Sequence, residues 1–207
     1  MKRLFFDGIP ERVLHTFACD CAERALFKEM QLGKELPVSG WYAVLVKRAW
    51  LEGKAGVQDI QHAQQAIKYA IQEYQSHYEN KQVDHSKVKK EQYTEYNLGM
   101  YALLAACWTT ELSGQRSAAC ISQYLQLYAK DRGELYRRHP EVYQKFGMAP
   151  NTIQEEVIWQ KGHLESLHLG FGFGPVRNRF QQWISSEFNK QQEADEMRKK
   201  TWSHHPH

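Results

Sequence analysis

Charge of one sign is the first thing this chain lacks. Lys and Arg number 27 against 24 Asp and Glu, a formal net charge of +3 over 207 residues. A dedicated nucleic-acid binder gathers its basic residues into a visible patch, so a nucleic-acid partner is not expected from so small an excess. Long hydrophobic runs are missing too. The longest, around Leu98 to Trp108, falls far short of the roughly 20 residues needed to span a bilayer, and no membrane partner is expected. The opening Lys2 to Phe6 is basic and then apolar, but the run breaks at Asp7 and Gly8, so no secretory signal is expected. Cysteine is scarce: Cys19, Cys21, Cys107 and Cys120 are the four. Cys19 and Cys21, two apart on a predicted helix, point in divergent directions and do not easily bridge each other. Reduced thiols in a cytoplasm are the expectation. Valine and threonine are sparse, and no segment alternates polar with β-branched residues over the length of a strand, which argues against a sheet.

What is present is ordinary globular material. Hydrophobic residues at 42% and charged residues at 25% make global disorder unexpected, and the length suits one domain with a proper core. Helical spacing recurs along the chain. From Pro10 to about Met30 the apolar positions are Leu14, Phe17, Ala18, Cys21 and Ala25, with Gly33 and Pro37 as punctuation. Ser39 is a candidate N-cap for a helix from Trp41 to Glu52, closed by Gly53 and Gly56. Ile60, Ala63, Ile67, Ala70 and Tyr74 form the clearest stripe, widened by Ala66 and Ile71.

The charged stretch Asn80 to Glu91 reads as a loop leading into a helix that is apolar nearly all round from Leu98 to Trp108, hence central and buried. Ser117 is a candidate cap for a fifth helix bearing Ile121, Tyr124, Leu125 and Tyr128, followed by a short helical piece around Glu134 to Arg138 and another after Pro140. Thr152 and Glu155 form a capping box, opening a helix that runs to Gly170. After the glycine-rich Gly170 to Gly174, Pro175 starts a last helix with Val176, Phe180, Trp183, Ile184 and Phe188 inward. That face could pack internally or against a second copy. The expected architecture is all-α, an irregular or up-and-down bundle of about seven or eight helices. Residues 1–188 form a single helical domain in this reading, and 189–207 a frayed polar tail.

Four groups of residues could carry chemistry. Asp20 and Arg24, acid first and four apart, suit a helical ion pair. His15, Cys19 and Glu23 make a second ladder on the same helix, with ligand types and spacing that suit a metal. A metal needs a further ligand from another helix, and a solvated flank is the simpler expectation. The second group is Glu155, Glu156, His163 and His168. Glu165 to His168 has the Glu-x-x-His spacing of di-metal bundles, but Asp59 to His62 offers only an aspartate, better placed to complement a helix start. The third is the Gly170–Gly174 junction with Arg177 and Arg179, which lacks a nucleotide fingerprint and a preceding strand; a hinge anchored by Phe171 and Phe173 is the simpler expectation. The fourth is Arg132, Arg137, Arg138 and His139 near Tyr136 and Tyr143, a mixture that can hold single-stranded nucleic acid but without a second basic cluster reads as a solvated face. No Gly-x-Ser-x-Gly elbow occurs and the cysteines lack a catalytic context.

The run Asp20-Cys21-Ala22-Glu23-Arg24-Ala25-Leu26 resembles the opening helix of a family of immunity proteins of bacterial polymorphic toxin systems. Ala49-Trp50-Leu51-Glu52-Gly53 is similar to the Trp-x-x-Gly-like element that follows in that family. The helices Ile60 to Tyr74 and Leu98 to Trp108 resemble its order. The likeness covers roughly Pro10 to Trp108; this chain is longer, less rich in alanine, and continues past Ser113 without a match. The resemblance implies an α-helical, non-catalytic protein that neutralises a cognate toxin by binding it, and gives Asp20 and Glu23 no individual role.

The leading expectation is therefore a cytoplasmic, non-enzymatic helical binding protein with a protein partner. Asp20, Glu23 and Arg24 are the expected binding residues, and no catalytic residue, metal or cofactor is expected. One alternative is a metal-dependent helical-bundle enzyme with Glu and His ligands. The other is a secreted bacterial effector or adaptor, with the tail from Asn189 to His207 as an export or docking segment.

Overall fold

The computed structural model describes residues 6–81, 90–145 and 152–168, all within one compact unit, Met1–Gly170. Among them every regular element is helical. Six helices have at least 14 residues: α1 (Glu11–Gln31), α2 (Val38–Leu51), α3 (Val57–Lys81), α4 (Lys90–Thr109), α5 (Gly114–Arg138) and, last in the chain, α7 (Ile153–His168). A six-residue turn of helix, α6 (Pro140–Lys145), follows α5.

Of the glycines foreseen as stops, Gly33 and Gly53 act as stops, whereas Gly56 lies at the start of α3. Gly33 and Gly53 both have φ of +73°, a conformation that costs a residue with a Cβ. At each, two backbone N–H groups fold back onto the last turn: Gly33 to Met30 and Lys34 to Glu29, Gly53 to Trp50 and Lys54 to Ala49. These pairs satisfy carbonyls that a helix end otherwise leaves open. At α7 the capping box is present, with Thr152 N–H donating to Glu155 and Glu155 N–H to Thr152 Oγ1.

Two helices share the centre. The sequence points to α4 alone, but α1 and α4 each pack against four of the other long helices, α1 on α2, α4, α5 and α7, and α4 on α1, α2, α3 and α5. Leu14, Phe17, Ala18, Cys21, Ala25 and Leu26 of α1 meet Ala102, Leu103, Ala105 and Ala106 of α4 in one apolar core. Alanines and Gly99 on α4 let backbones come close; a Cβ at Gly99 would collide with the Tyr74 ring of α3. Ile60, Ala63, Ile67 and Ala70 of α3 are buried as the stripe requires.

Four local expectations are corrected. Ala66 is exposed, because among the described residues α3 packs mainly on α2 and α4 and a narrow stripe suffices. Ser39 lies inside α2, which starts one turn earlier behind Pro37; proline needs no N–H at a helix start. Ser117 is likewise inside its helix, and Ser113 is the cap, accepting from Arg116 N–H. Glu134 to Arg138 is the uninterrupted end of α5. The glycine-rich junction, the helix after Pro175 and the polar tail lie outside the described residues.

Candidate functional site

On α1, Asp20, Glu23 and Arg24 sit beside the apolar stripe, with Glu23 and Arg24 rotated to opposite sides of Asp20. That rotation decides their partners. Glu23 faces α2, where Arg48 donates from Nε to Oε1 at 2.5 Å and from Nη2 to Oε2 at 2.6 Å. Arg24 faces α7, where Nη1 reaches both oxygens of Glu156 at 2.8 and 2.7 Å. Asp20 lies between and serves both neighbours: Arg48 Nη2 donates to Oδ1 at 2.5 Å, and His163 Nε2 is 2.9 Å from Oδ2. A carboxylate can only accept, so His163 carries the proton on Nε2.

The network continues into uncharged groups. Gln160 Nε2 donates to Glu156 at 3.0 Å, and Ser122 Oγ of α5 donates to Gln160 Oε1 at 2.6 Å. The Arg24 guanidinium lies 3.8 Å from the centroid of the Trp159 ring, and Trp159 stacks on His163 at 4.9 Å. Three helices, α1, α2 and α7, are thus tied through one row of side chains, with α5 joined by hydrogen bonds. Arg48 and Glu156 are almost fully buried, at 4% and 1% exposure, where an unpaired charge is costly.

Environment explains the titration. Burial of the Asp20 carboxylate pushes its pKa up, but the hydrogen bond from His163 and the Arg48 guanidinium outweigh it, and the group is held below 3.8. Burial also opposes the charge on Arg48, yet Glu23 and Asp20 hold that guanidinium more firmly protonated than usual. Burial pushes the Cys19 thiol up to about 12 and raises Cys21 as well, so neither offers a thiolate at neutral pH.

Two further polar groups are buried. Glu29 of α1 accepts from the Tyr128 hydroxyl of α5 at 2.6 Å, and Arg132 donates to the same hydroxyl at 3.1 Å. On the far side of α1, Lys47 Nζ donates to the Glu111 carbonyl at 3.0 Å and lies 3.9 Å over the Trp50 ring. His15 packs edge-on against that ring. Burial, with the Lys47 charge beside it, brings the His15 pKa down to about 4.

Several sequence expectations change here. The Asp20–Arg24 pair gives way to inter-helix partners for both residues. His15 and Cys19 are buried, not on a solvated flank, because α2 covers that side of α1. The second group does not converge: Glu155 caps α7, Glu156 and His163 point inward to different partners, and Glu165 and His168 are exposed. Among the described residues no three His, Cys, Asp or Glu side chains come together to hold a metal. Asp59 accepts from Gly56 N–H at the start of α3, as its position suggests. Of the basic group, Arg132 is buried against Tyr128, Arg138 pairs with Glu134, and His139 neighbours Glu141. Arg48 and Lys47 were missed by sequence reasoning. Their signal is the adjacent pair of basic residues in the otherwise apolar run from Ala43 to Trp50.

No helix among the described residues is long and apolar enough to cross a membrane. No family model, curated protein or solved structure matches the chain.

Proposed function

We propose that the protein is a non-enzymatic helical binding protein that works through its outer surface, and that its partner is a cognate bacterial toxin which it neutralises by direct binding. The observation that carries this reading is the inward turn of the ionisable groups. Asp20, Glu23, Arg24, Arg48, Glu156 and His163 are engaged with one another across three helices, which suits a framework that holds a surface rigid more than a reacting centre. Asp20, Glu23 and Arg24 then belong to that framework, tying α1 to α2 and α7.

The outer face of α3 is the surface we favour. His62, Gln65, Ala66, Tyr69 and Glu73 fall on one exposed stripe, with Tyr69 63% exposed at its middle. An exposed tyrosine brings large apolar area and a polar tip at small entropic cost, which is why the residue recurs at protein interfaces. The likeness of Asp20 to Leu26 and of Ala49 to Gly53 to the toxin-immunity family supplies the class of partner.

Co-expression with a toxin encoded beside the gene tests the reading. The expected result is protection of the host and co-purification of the pair. Tyr69→Asp should weaken the complex by about 1–2 kcal/mol, roughly tenfold in affinity, without altering the fold. Neither protection nor co-purification with such a toxin would sink the proposal.

A further inference from the structure

Helix α7 is seated differently from its neighbours. Its buried residues are Glu156, Gln160, His163 and Leu164, so polar groups outnumber apolar ones. The buried face of α1, in contrast, includes Leu14, Phe17, Ala18, Cys21, Ala25 and Leu26. Leu164 and the partly buried Trp159 and Leu167 pack on the core, and the rest of the seat is a row of polar contacts to α1 and α5: Arg24 with Glu156, Asp20 with His163, and Ser122 with Gln160. Each apolar group buried adds to stability, whereas a buried ion pair returns little beyond the cost of stripping water from its charges. Such a seat fixes the orientation of a helix and leaves it at the low end of local stability. Lifting the helix also returns Arg24 and Glu156 to water, so the open state strands no bare charge.

We propose that α7 is a separable latch that lifts from α1 and α5 as a unit, ahead of global unfolding, and uncovers a strip bearing Phe17, Cys21, Arg24 and Ser122. Two thiols two residues apart report on it. Cys21 lies one turn of α1 beyond Phe17, whose ring is 6.0 Å from that of His163 of α7, and three residues before Arg24, which pairs with Glu156, so it lies beneath the latch. Cys19 is surrounded instead by Arg48, Glu23, Asp20 and Lys47, on the side covered by α2. Both side chains have 0% exposure in the closed structure.

The test is native-state labelling of the full chain with a thiol reagent, the modified positions being assigned by tandem mass spectrometry. Cys107 and Cys120 are partly exposed and react first. Cys21 should then react about tenfold or more faster than Cys19, and with a shallower urea dependence, because opening the latch exposes less surface than unfolding. Backbone amides of α7 should exchange with solvent as one block ahead of those of α1. Glu156→Gln should accelerate labelling of both thiols by about tenfold, because the pair is lost in the open latch and in the unfolded chain alike, so that Cys21 keeps its lead over Cys19. If that variant does not fold, the two thiols and the amide exchange of the unaltered chain decide alone. Equal rates and equal urea dependence at the two cysteines, or exchange of α7 amides together with those of α1, overturns the proposal.

Discussion

His163 of α7 donates its Nε2 hydrogen to Asp20 of α1 over 2.9 Å, joining residues 143 positions apart in the chain. The same carboxylate accepts from Arg48 of α2, so one short acidic side chain fixes two helices against a third. Opposite charges facing one another across helix contacts penalise wrong registers as well as rewarding the right one. In a bundle rich in small residues, where alternative packings are close in energy, that discrimination is the part ion pairs do best.

Arg48 is the member whose loss should matter most. Arg48→Ala leaves Asp20 and Glu23 facing each other at 19% and 12% side-chain exposure without their shared cation. Removing one partner of a buried pair costs about 3 kcal/mol or more, read as a lower midpoint in urea unfolding. Arg48→Lys should recover only part of this, since a single ammonium cannot supply the donors that Nε and Nη2 place on both acids. Full recovery by lysine would show that charge alone matters at this position.

The helices were legible because their signals are local. Leu14 to Ala25 and Ile60 to Ala70 carry the period of a buried face, and Thr152 with Glu155 closes a cap within one turn. The partners of the charges were not legible. Glu23 and Arg48 are 25 residues apart and Arg24 and Glu156 are 132 apart, and which face of α1 meets α2 or α7 depends on how whole helices pack. Local spacing therefore suggested Asp20 with Arg24, an exposed-helix pairing worth a few tenths of a kcal/mol. Burial favours the inter-helix arrangement, because each guanidinium there meets an acid whose own desolvation it offsets. Ser39 and Ser117 show the same limit on a smaller scale: a serine near a helix start is a cap only if the chain turns there.

Acid should weaken the fold in two windows. His15 is held neutral in the folded chain, with its pKa lowered from 6.5 to about 4, while the unfolded chain takes up a proton below 6.5. The unfolded state therefore binds more protons between those values, and stability falls as pH drops from 6.5 toward 4. Asp20 acts lower down. Its folded pKa is below the ordinary 3.8, so its contribution is present above 3.8 and is lost as pH falls through the folded value. Urea midpoints measured from pH 7 to pH 2 should show both declines. His15→Phe should flatten the upper one and Asp20→Asn the lower; an unchanged upper decline in His15→Phe would exclude the buried imidazole as its source.

Glycines give a test of packing with three graded outcomes. At Gly162, inside α7, an added Cβ meets nothing within 4 Å, so Gly162→Ala removes only the conformational cost of glycine and should stabilise by about 0.5–1 kcal/mol. At Gly99 the added methyl would meet the Tyr74 hydroxyl, and behind it Leu36 at 3.2 Å. Tyr74 is stacked on Tyr96 with centroids 5.5 Å apart, which restricts how far the ring can yield. Gly99→Ala should destabilise by about 1–3 kcal/mol, and Tyr74→Phe in that background should recover part of the loss by removing the nearest atom. Gly114 has less room to yield, since beyond the Glu11 carboxylate its Cβ would lie 2.9 Å from the Glu11 backbone carbonyl and 3.0 Å from Leu14 Cβ. Those atoms belong to α1 itself, and Glu11 also accepts from Gly114 N–H, so the clash cannot be relieved by one rotamer. Thermal midpoints should rank Gly162→Ala above the unaltered chain, then Gly99→Ala, then Gly114→Ala. A Gly114→Ala midpoint equal to that of the unaltered chain would mean that α1 and the start of α5 are not in the close contact described.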